Sequence, residues 1–464
     1  MASGIILIPL YVANLSEAQF GAWTIFMSFS LFMQLVVTYS FDTSLYIHYH
    51  EYKADVKKLS AYVSSAFVMM LLISLVVSLL LFAFGGLIFS VIFSQENVSF
   101  YPYGWLALGG GSFQALFKVY SNLLQSREKP TTFLWGNAVL FMGIILLTIL
   151  GLRIFPQSLM GPLGARFIAL MLGAVWVLYR VYKEFGIHFD WPLLNKSFSF
   201  NMYSFIYQLQ QWFINYFDRI LMGYFLSLSL VGVYGFTISC LIGIELLMNG
   251  MHSSFYPKVV KEVMAQTIKE STVTVNRYYY GLVAFVMVLV CGAILILPFL
   301  VEWLVKYTGK LHYLDSIIFI PFIASFYLLK SVRLFFSSPY GILKFTKPLP
   351  LIYSVAVIIK VAGIILLVQH FGIMGVITAS LLSMSTEILL LYKAVKTHFN
   401  FRFNAYKIIG APLLLSSLII LSELLLPADW QVIMHLTYCV ICVILLVWAY
   451  RLEIKQINPF SLIK

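Results

Sequence analysis

Long apolar segments separated by short polar loops occupy almost the whole chain. Apart from the first, each has a length in or near the range that crosses a bilayer as a helix. The fourteen segments lie at residues 2–13, 20–45, 61–94, 99–125, 131–152, 158–181, 198–225, 229–251, 276–304, 313–337, 349–369, 372–394, 406–427 and 431–450. The pattern predicts an all-α polytopic membrane protein with about fourteen transmembrane segments, of which the first is expected to be incomplete.

Two short motifs recur six segments apart. The motif Leu-Ser, four residues, Gly begins at Leu15 and again at Leu226, an offset of 211 residues. The dipeptide Lys-Pro occurs at Lys129 and again at Lys347, an offset of 218 residues. Six segments are an even number, so two such repeats insert in the same direction and are related by an axis along the membrane normal. The repeats predict two pseudo-symmetric six-helix lobes at 1–190 and 191–400, followed by two additional helices and a cytoplasmic tail at 401–464.

The composition places these segments in a membrane. The chain is 61% hydrophobic and 10% charged, whereas soluble domains carry about 25% charged residues. Of its 30 lysines and arginines, 22 lie in one set of alternate loops, and the opposite loops hold only Arg153, Lys306 and Lys310. The positive-inside rule therefore predicts cytoplasmic termini. This asymmetry accounts for most of the net charge of +12, so no nucleic-acid partner is expected.

A polar stripe runs through the seventh segment, at 198–225. On a helix, steps of three and four residues bring side chains to one face. Because hydrocarbon penalises unpaired polar groups, this face contacts protein or water rather than lipid. The two interpretations are hydrogen bonding between helices and the wall of an aqueous pathway. The stripe consists of Asn201, Ser204, Gln208, Gln211, Asn215 and Asp218, with Arg219 beside the last.

Other polar and charged residues inside the apolar segments are further candidates for a pathway. Segment two carries Ser30, Gln34, Thr38 and Asp42 at steps of four residues, followed by His48, and segment eight carries Glu245 and Asn249. Lys118 and Lys330 lie in corresponding segments of the two repeats. A buried, unpaired charge is costly in a bilayer. The two lysines are therefore expected either to extend to the interface or to form a basic lining that attracts an anionic headgroup.

Motifs of soluble catalysis and metal binding are missing. Gly109-Gly110-Gly111 lacks the Lys-Ser/Thr of a phosphate-binding loop and is expected to serve helix packing. Cys439 and Cys442 form a C-x-x-C without a His or a second pair nearby, which also indicates packing. We expect no metal site, no disulfide and no enzymatic activity.

Three further motifs lie at the end of the seventh segment and in and just after the eighth: Asp218–Phe225 (DRILMGYF), Val231–Gly235 (VGVYG) and Tyr256-Pro257-Lys258. With these and the two repeated motifs in this order, the chain resembles the polysaccharide flippases of the multidrug/oligosaccharidyl-lipid/polysaccharide exporter superfamily over roughly residues 5–400. The resemblance implies two six-helix lobes around a central cavity. It also implies transport of undecaprenyl-pyrophosphate-linked sugars from the cytoplasmic to the outer leaflet by alternating access.

The resemblance and the charges together predict a lipid-linked oligosaccharide flippase of the bacterial inner membrane. Arg219, Lys118 and Lys330 are expected to compensate the headgroup charge, with Arg219 contributing most, while Gln208, Gln211 and Asn215 contact sugar hydroxyls. Beyond the glycan and membrane lipids, a glycan polymerase and glycosyltransferases of the same pathway are expected partners. No cofactor is expected, and the choice of H⁺ or Na⁺ as a coupling ion stays open. The alternatives are a cation-coupled drug exporter or a peptidoglycan-precursor flippase of the same fold, a membrane glycan polymerase or glycosyltransferase, and a scaffold without transport.

Overall fold

A computed structural model describes residues 2–93, 100–265, 268–342, 347–398, 403–426 and 431–451. Within these ranges every regular element is a helix. The α-helices are α1 (Ala2–Asn14), α2 (Glu17–Thr38), α3 (Phe41–Tyr52), α4 (Val56–Ile92), α5 (Tyr103–Ser126), α6 (Pro130–Ile154), α7 (Met160–Phe185), α8 (Trp191–Phe225), α9 (Leu228–Ala265), α10 (Ile268–Thr308), α11 (Ser316–Ile342), α12 (Leu349–His398), α13 (Ala411–Leu425) and α14 (Gln431–Ala449). A short 3₁₀-helix precedes α11 and a π-helical turn precedes α13. The predicted tail after residue 451 lies outside the described residues.

The predicted all-α membrane architecture is confirmed. Ten helical stretches of the described chain are long and apolar enough to cross a membrane. The remaining predicted segments correspond to α1, which is short, to α5 and α8, which are more polar, and to the second half of α12. The protein is therefore a multi-pass membrane protein, and each of the fourteen apolar segments overlaps with a helix.

One predicted segment, 20–45, is wrong. Segment 20–45 is not one helix, because α2 ends at Thr38 and α3 begins at Phe41. The stripe from Ser30 to Asp42 is therefore broken, and Ser30 and Thr38 are buried inside the protein. Segments 349–369 and 372–394 are two helices separated within α12 by a kink at Gly372, where the φ of 54° is one that only glycine adopts readily.

By packing, the chain forms two compact units. The first comprises residues 9–235, and the second comprises residues 2–8 and 236–464. The repeat motifs place α8 at the start of the second repeat, whereas its packing groups α8 with the first unit. The two divisions describe different properties, internal similarity and contact, and the lobe boundary at residue 190 stays a prediction.

The core of the first unit is built around α5. It packs between α2 and α7, while α6 covers α7 and α8 lies against α2 and α4. Two of the three consecutive glycines in α5 allow close approach, in agreement with the predicted packing role. A Cβ on Gly111 would stand 2.2 Å from the carbonyl oxygen of Ser30, and one on Gly109 would stand 2.7 Å from the ring of Phe167.

In the second unit, α11 packs between α10 and α12, and the two C-terminal helices complete the unit. The helix α13 packs on α11, and α14 packs on α10. The thiol of Cys439 donates to the carbonyl oxygen of Cys291 over 3.7 Å, and Cys442 is buried. The four cysteines are free thiols, and the C-x-x-C pair contributes to packing, as its surroundings in the sequence predict.

The repeated Leu-Ser-x₄-Gly motifs pack reciprocally within the first unit. A Cβ on Gly21 would stand 2.0 Å from the carbonyl oxygen of Leu228, and one on Gly232 would stand 2.1 Å from that of Glu17. Gly232 is the repeat counterpart of Gly21, and Leu228 is the counterpart of Glu17, both at an offset of 211 residues. The two contacts are therefore equivalent, with the partners exchanged. Such an exchange of partners is the signature of a local twofold axis. The contact requires glycine at both positions, because any side chain would overlap with the facing backbone.

We therefore expect Gly232→Val to destabilise the protein, because the first turns of α2 and α9 must separate to admit the side chain. Overpacking of this kind costs about 1–3 kcal/mol, and more where backbone is the obstacle. The measurement is thermal unfolding in detergent. Gly86→Val is the matched control, since a Cβ there meets nothing within 4 Å. Equal unfolding temperatures for the two variants would contradict the proposed contact.

Candidate functional site

A polar cluster in the first unit joins three of the predicted site residues. The Nζ of Lys118 in α5 lies 2.8 Å from Oδ2 of Asp42 in α3. From α8, Gln208 donates from Nε2 to Oγ of Ser40 at 3.0 Å and to Oδ1 of Asp42 at 3.5 Å. We call these four residues the Asp42 cluster. Candidates from three sequence segments therefore meet at one carboxylate, which the spacing of any single segment does not reveal.

The turn between α2 and α3 positions this cluster. Tyr39 and Ser40 both have left-handed backbone conformations, with φ of 41° and 58°. Non-glycine residues adopt such conformations rarely, and when they do the strained positions are often functional. The turn brings Ser40, which is fully buried, and Asp42 up to the amide of Gln208. Ser40 carried no signal as a site residue in the sequence, because its role depends on this turn.

Lys118 is the accessible member of the cluster. Its side chain is 37% exposed, whereas that of Asp42 is 8% exposed. Lys118 lies eight residues before the end of α5, about 12 Å along the helix from the loop that holds Arg127 and Lys129. A half-exposed ammonium group that is paired with a buried carboxylate can also bind an external anion on its exposed side.

A second polar cluster, formed by Asp218, Arg219 and Tyr234, lies near the other end of α8. Nη1 of Arg219 is 3.2 Å from Oδ1 of Asp218 and donates to the carbonyl oxygen of Asn215 at 2.8 Å. The hydroxyl of Tyr234 in α9 donates to Oδ2 of Asp218 at 2.9 Å. Although adjacent side chains leave a helix about 100° apart, the long Arg219 side chain folds back to reach its neighbour. Both residues are buried, so the ion pair is internal to the first unit.

The rest of the stripe on α8 is only partly open. Asn201 is buried, and Gln34 on α2 and Gln211 on α8 are half-buried. Asn215 donates to the carbonyl oxygen of Gln211 in its own helix at 2.7 Å. Trp212 is buried, and its indole Nε1 donates to the carbonyl oxygen of Ser28 at 3.1 Å. It is a packing residue.

The second unit contains a lysine–carboxylate pair of its own. Nζ of Lys330 in α11 lies 2.6 Å from Oε1 of Glu245 in α9. Lys330 corresponds to Lys118 at an offset of 212, close to that of the repeated motifs. Its side chain is 10% exposed, whereas that of Glu245 is 27% exposed, so in this pair the carboxylate is the more accessible partner. Asn249, one turn further along α9, is exposed.

A second buried pair in this unit was missed at the sequence level. Nε of Arg333 in α11 lies 3.4 Å from Oε1 of Glu387 in α12, and the Glu387 side chain is fully buried. Arg333 is one of the 22 lysines and arginines that the sequence pattern places in loops, although it lies within the apolar run 313–337. In the structure that run continues as helix to Ile342. The pairing of these two segments carried no local signal.

His48 contacts residues three and four positions further along α3. Its Nδ1 lies 2.7 Å from Oε2 of Glu51, and its ring stacks on Tyr52 with a centroid distance of 5.5 Å. These contacts at the end of α3 do not connect it to the Asp42 cluster. Among the described residues, no group of three His, Cys, Asp or Glu side chains is placed to hold a metal ion.

Comparison with known proteins identifies the family. The family model for polysaccharide biosynthesis proteins matches residues 2–264, more than half of the chain. The chain belongs to this family, which confirms the resemblance drawn from the sequence motifs. No curated protein matched the sequence.

Solved structures show which fold the chain shares. The lipid II flippase MurJ in an inward closed conformation matches with a TM-score of 0.74 at 16% identity, over 98% of this chain and 97% of that chain. An inward-facing multidrug resistance MATE family transporter of the MOP superfamily matches with a TM-score of 0.69 at 10% identity, over 86% and 95%. The MATE multidrug transporter DinF-BH matches with a TM-score of 0.55 at 15% identity, over 86% and 91%. The chain shares the fold of these three proteins.

Proposed function

We propose that this protein is a flippase that moves undecaprenyl-pyrophosphate-linked oligosaccharide from the cytoplasmic to the outer leaflet for surface polysaccharide synthesis. Membership of the polysaccharide biosynthesis family carries the proposal. The likeness of the fold to a lipid II flippase supports it, because in that protein a fold of this kind serves to flip a lipid. The half-exposed Lys118 supplies a cation for a pyrophosphate.

The chemistry of such a substrate explains why polar groups interrupt these helices. A glycan and a pyrophosphate cannot enter hydrocarbon, whereas a prenyl tail can remain there. Transport then needs a hydrophilic surface for the headgroup, alternately open to each side. In this proposal Lys118 binds phosphate oxygens, and Gln208 and Gln211 on α8 bind sugar hydroxyls.

The charged residues distinguish between the alternative substrates by their charge. A cation-coupled drug exporter would present accessible acids to its cargo. In the first unit Asp42 and Asp218 are instead buried and paired with Lys118 and Arg219. This favours an anionic cargo. A peptidoglycan-precursor flippase shares both fold and headgroup chemistry, so the glycan must be distinguished by experiment. A polymerase or glycosyltransferase is disfavoured by the transporter fold.

Orientation and location form part of the proposal. The loops rich in lysine and arginine lie in the cytoplasm together with both termini, and the membrane is the bacterial inner membrane. The substrate is supplied by glycosyltransferases and delivered to a glycan polymerase. Translocation is driven by H⁺ or Na⁺, or by the membrane potential.

The test is reconstitution into proteoliposomes with a fluorescent undecaprenyl-pyrophosphate oligosaccharide. We expect the labelled headgroup to become accessible to an external glycosidase only in vesicles that contain the protein. Vesicles with lipid II, and vesicles with a cationic dye, are tested in parallel. Faster movement of lipid II would assign the protein to peptidoglycan precursors, and movement of the dye alone would assign it to drug export.

A further inference from the structure

An apolar groove lies on the surface of the first unit, between α6 and α7, with Phe117 of α5 in its lining. Its volume is about 570 Å³, within the range of sites that hold small molecules. From Trp135 to Leu147 it follows α6 for about 18 Å, close to the roughly 15 Å depth of one leaflet of hydrocarbon. The groove is thus shaped to hold one extended hydrocarbon chain.

Glycines rather than a gap between helices create this groove. Gly136 and Gly143 in α6 and Gly173 in α7 line it without side chains. A Cβ on Gly143 would meet nothing within 4 Å, whereas one on Gly173 would stand 3.2 Å from Leu140. The space beside Gly143 is therefore open and can be filled by substitution without a clash.

A basic cluster stands at one end of the groove. Glu184, near the end of α7, accepts ion pairs from Arg127 and Arg180, and its Oε1 lies 3.9 Å from Nζ of Lys129. Three cations around one carboxylate leave a net charge of about +2. Lys129 precedes Thr131 and Thr132, which line the groove, by two and three residues, and Arg180 follows the lining residue Trp176 by one helical turn. The mouth is therefore basic and the interior apolar.

We infer that this groove binds a membrane phospholipid with an anionic headgroup. One acyl chain lies along α6 over Gly143, and the phosphate group meets Lys129, Arg180 and the hydroxyls of Thr131 and Thr132. Anionic lipids are attracted by each nearby basic residue. A zwitterionic lipid fills the same groove but gains less from the basic mouth. The groove is a lipid site of the first unit, separate from the Asp42 cluster.

Native mass spectrometry of the purified protein with added phosphatidylglycerol or phosphatidylcholine tests this inference. The wild-type protein should retain phosphatidylglycerol in preference to phosphatidylcholine. Gly143→Leu should remove the bound lipid, because the side chain occupies the path of the acyl chain. The matched control is Gly86→Leu, in which the same side chain is added at a lipid-facing glycine of α4 with nothing within 4 Å.

The basic mouth is tested independently of the groove. Lys129→Gln should reduce binding of phosphatidylglycerol by about fivefold, the contribution of one basic residue near an anionic surface, and leave phosphatidylcholine unchanged. Lys57→Gln, an exposed lysine at the start of α4, should change neither. The comparison of Lys129→Gln with Lys57→Gln tests the lipid site even if Gly143→Leu does not fold.

Two results would overturn the inference. The first is equal retention of phosphatidylglycerol by Gly143→Leu and Gly86→Leu, or by Lys129→Gln and Lys57→Gln. The second comes from adding undecaprenyl phosphate in the same measurement. If Gly143→Leu loses binding of this lipid but keeps binding of phosphatidylglycerol, the groove holds the prenyl tail of a substrate.

Discussion

Lys118→Ala is expected to slow movement of the lipid-linked glycan by about tenfold or more. One charge-assisted contact to a pyrophosphate in a partly wet site contributes on the order of a few kcal/mol, and roughly 1.4 kcal/mol corresponds to tenfold. Lys118→Arg should retain part of the rate. The sequence favoured Arg219 for this role. We propose Lys118 instead, because the Arg219 side chain is 11% exposed and bound to Asp218 while that of Lys118 is 37% exposed.

A loss of transport in Lys118→Ala has a competing explanation. Removing the lysine leaves the buried carboxylate of Asp42 with the amide of Gln208 but without its cation. An uncompensated buried charge destabilises the fold. Adding Asp42→Asn removes that charge. If Lys118 binds the headgroup, the double variant regains folded yield in detergent but not transport. Recovery of transport in the double variant would show that Lys118 serves only to neutralise Asp42.

Arg333→Ala is expected to cause the largest loss of stability. Glu387 is fully buried, and breaking a buried ion pair by removing one partner costs about 3–5 kcal/mol. Glu387→Gln in the same chain should restore much of that loss, because it removes the uncompensated charge. The measurement is thermal unfolding in detergent.

Lys330→Ala provides the comparison for Arg333→Ala. It leaves Glu245, whose side chain is 27% exposed, so water can solvate the carboxylate and the loss should be smaller. An Arg333→Ala protein as stable as the wild type would show that the Arg333–Glu387 contact contributes little. A double variant less stable than Arg333→Ala would indicate that Glu387 is held by other groups.

The candidate site was partly accessible from the sequence. Lys118, Asp42 and Gln208 stood out because polar residues in apolar segments are costly and therefore placed for a reason. Their assembly into one cluster was not accessible, since Asp42 and Gln208 are 166 residues apart. The sequence also left the partner of Arg219 open, and the structure pairs it with the residue immediately before it.

The break between α2 and α3 shows where local patterns fail. Steps of four residues from Ser30 to Asp42 favour one continuous helix, and neither glycine nor proline marks its end. The turn is formed by Tyr39 and Ser40 in left-handed conformations, which sequence preferences argue against. Packing of α3 against α5 and the hydrogen bond from Gln208 to Ser40 accompany this turn, and these contacts come from distant parts of the chain.

The sequence by itself determined that the protein is a helical membrane protein, where its apolar segments lie, and which family motifs it carries. Hydropathy and segment length are local properties, and the bilayer imposes them on each segment separately. Only the tertiary structure decided which charges are paired, as in Lys118 with Asp42 and Arg333 with Glu387, and which glycines allow helices to approach closely or leave a groove. Those outcomes depend on the reach of side chains between helices that packing brings together.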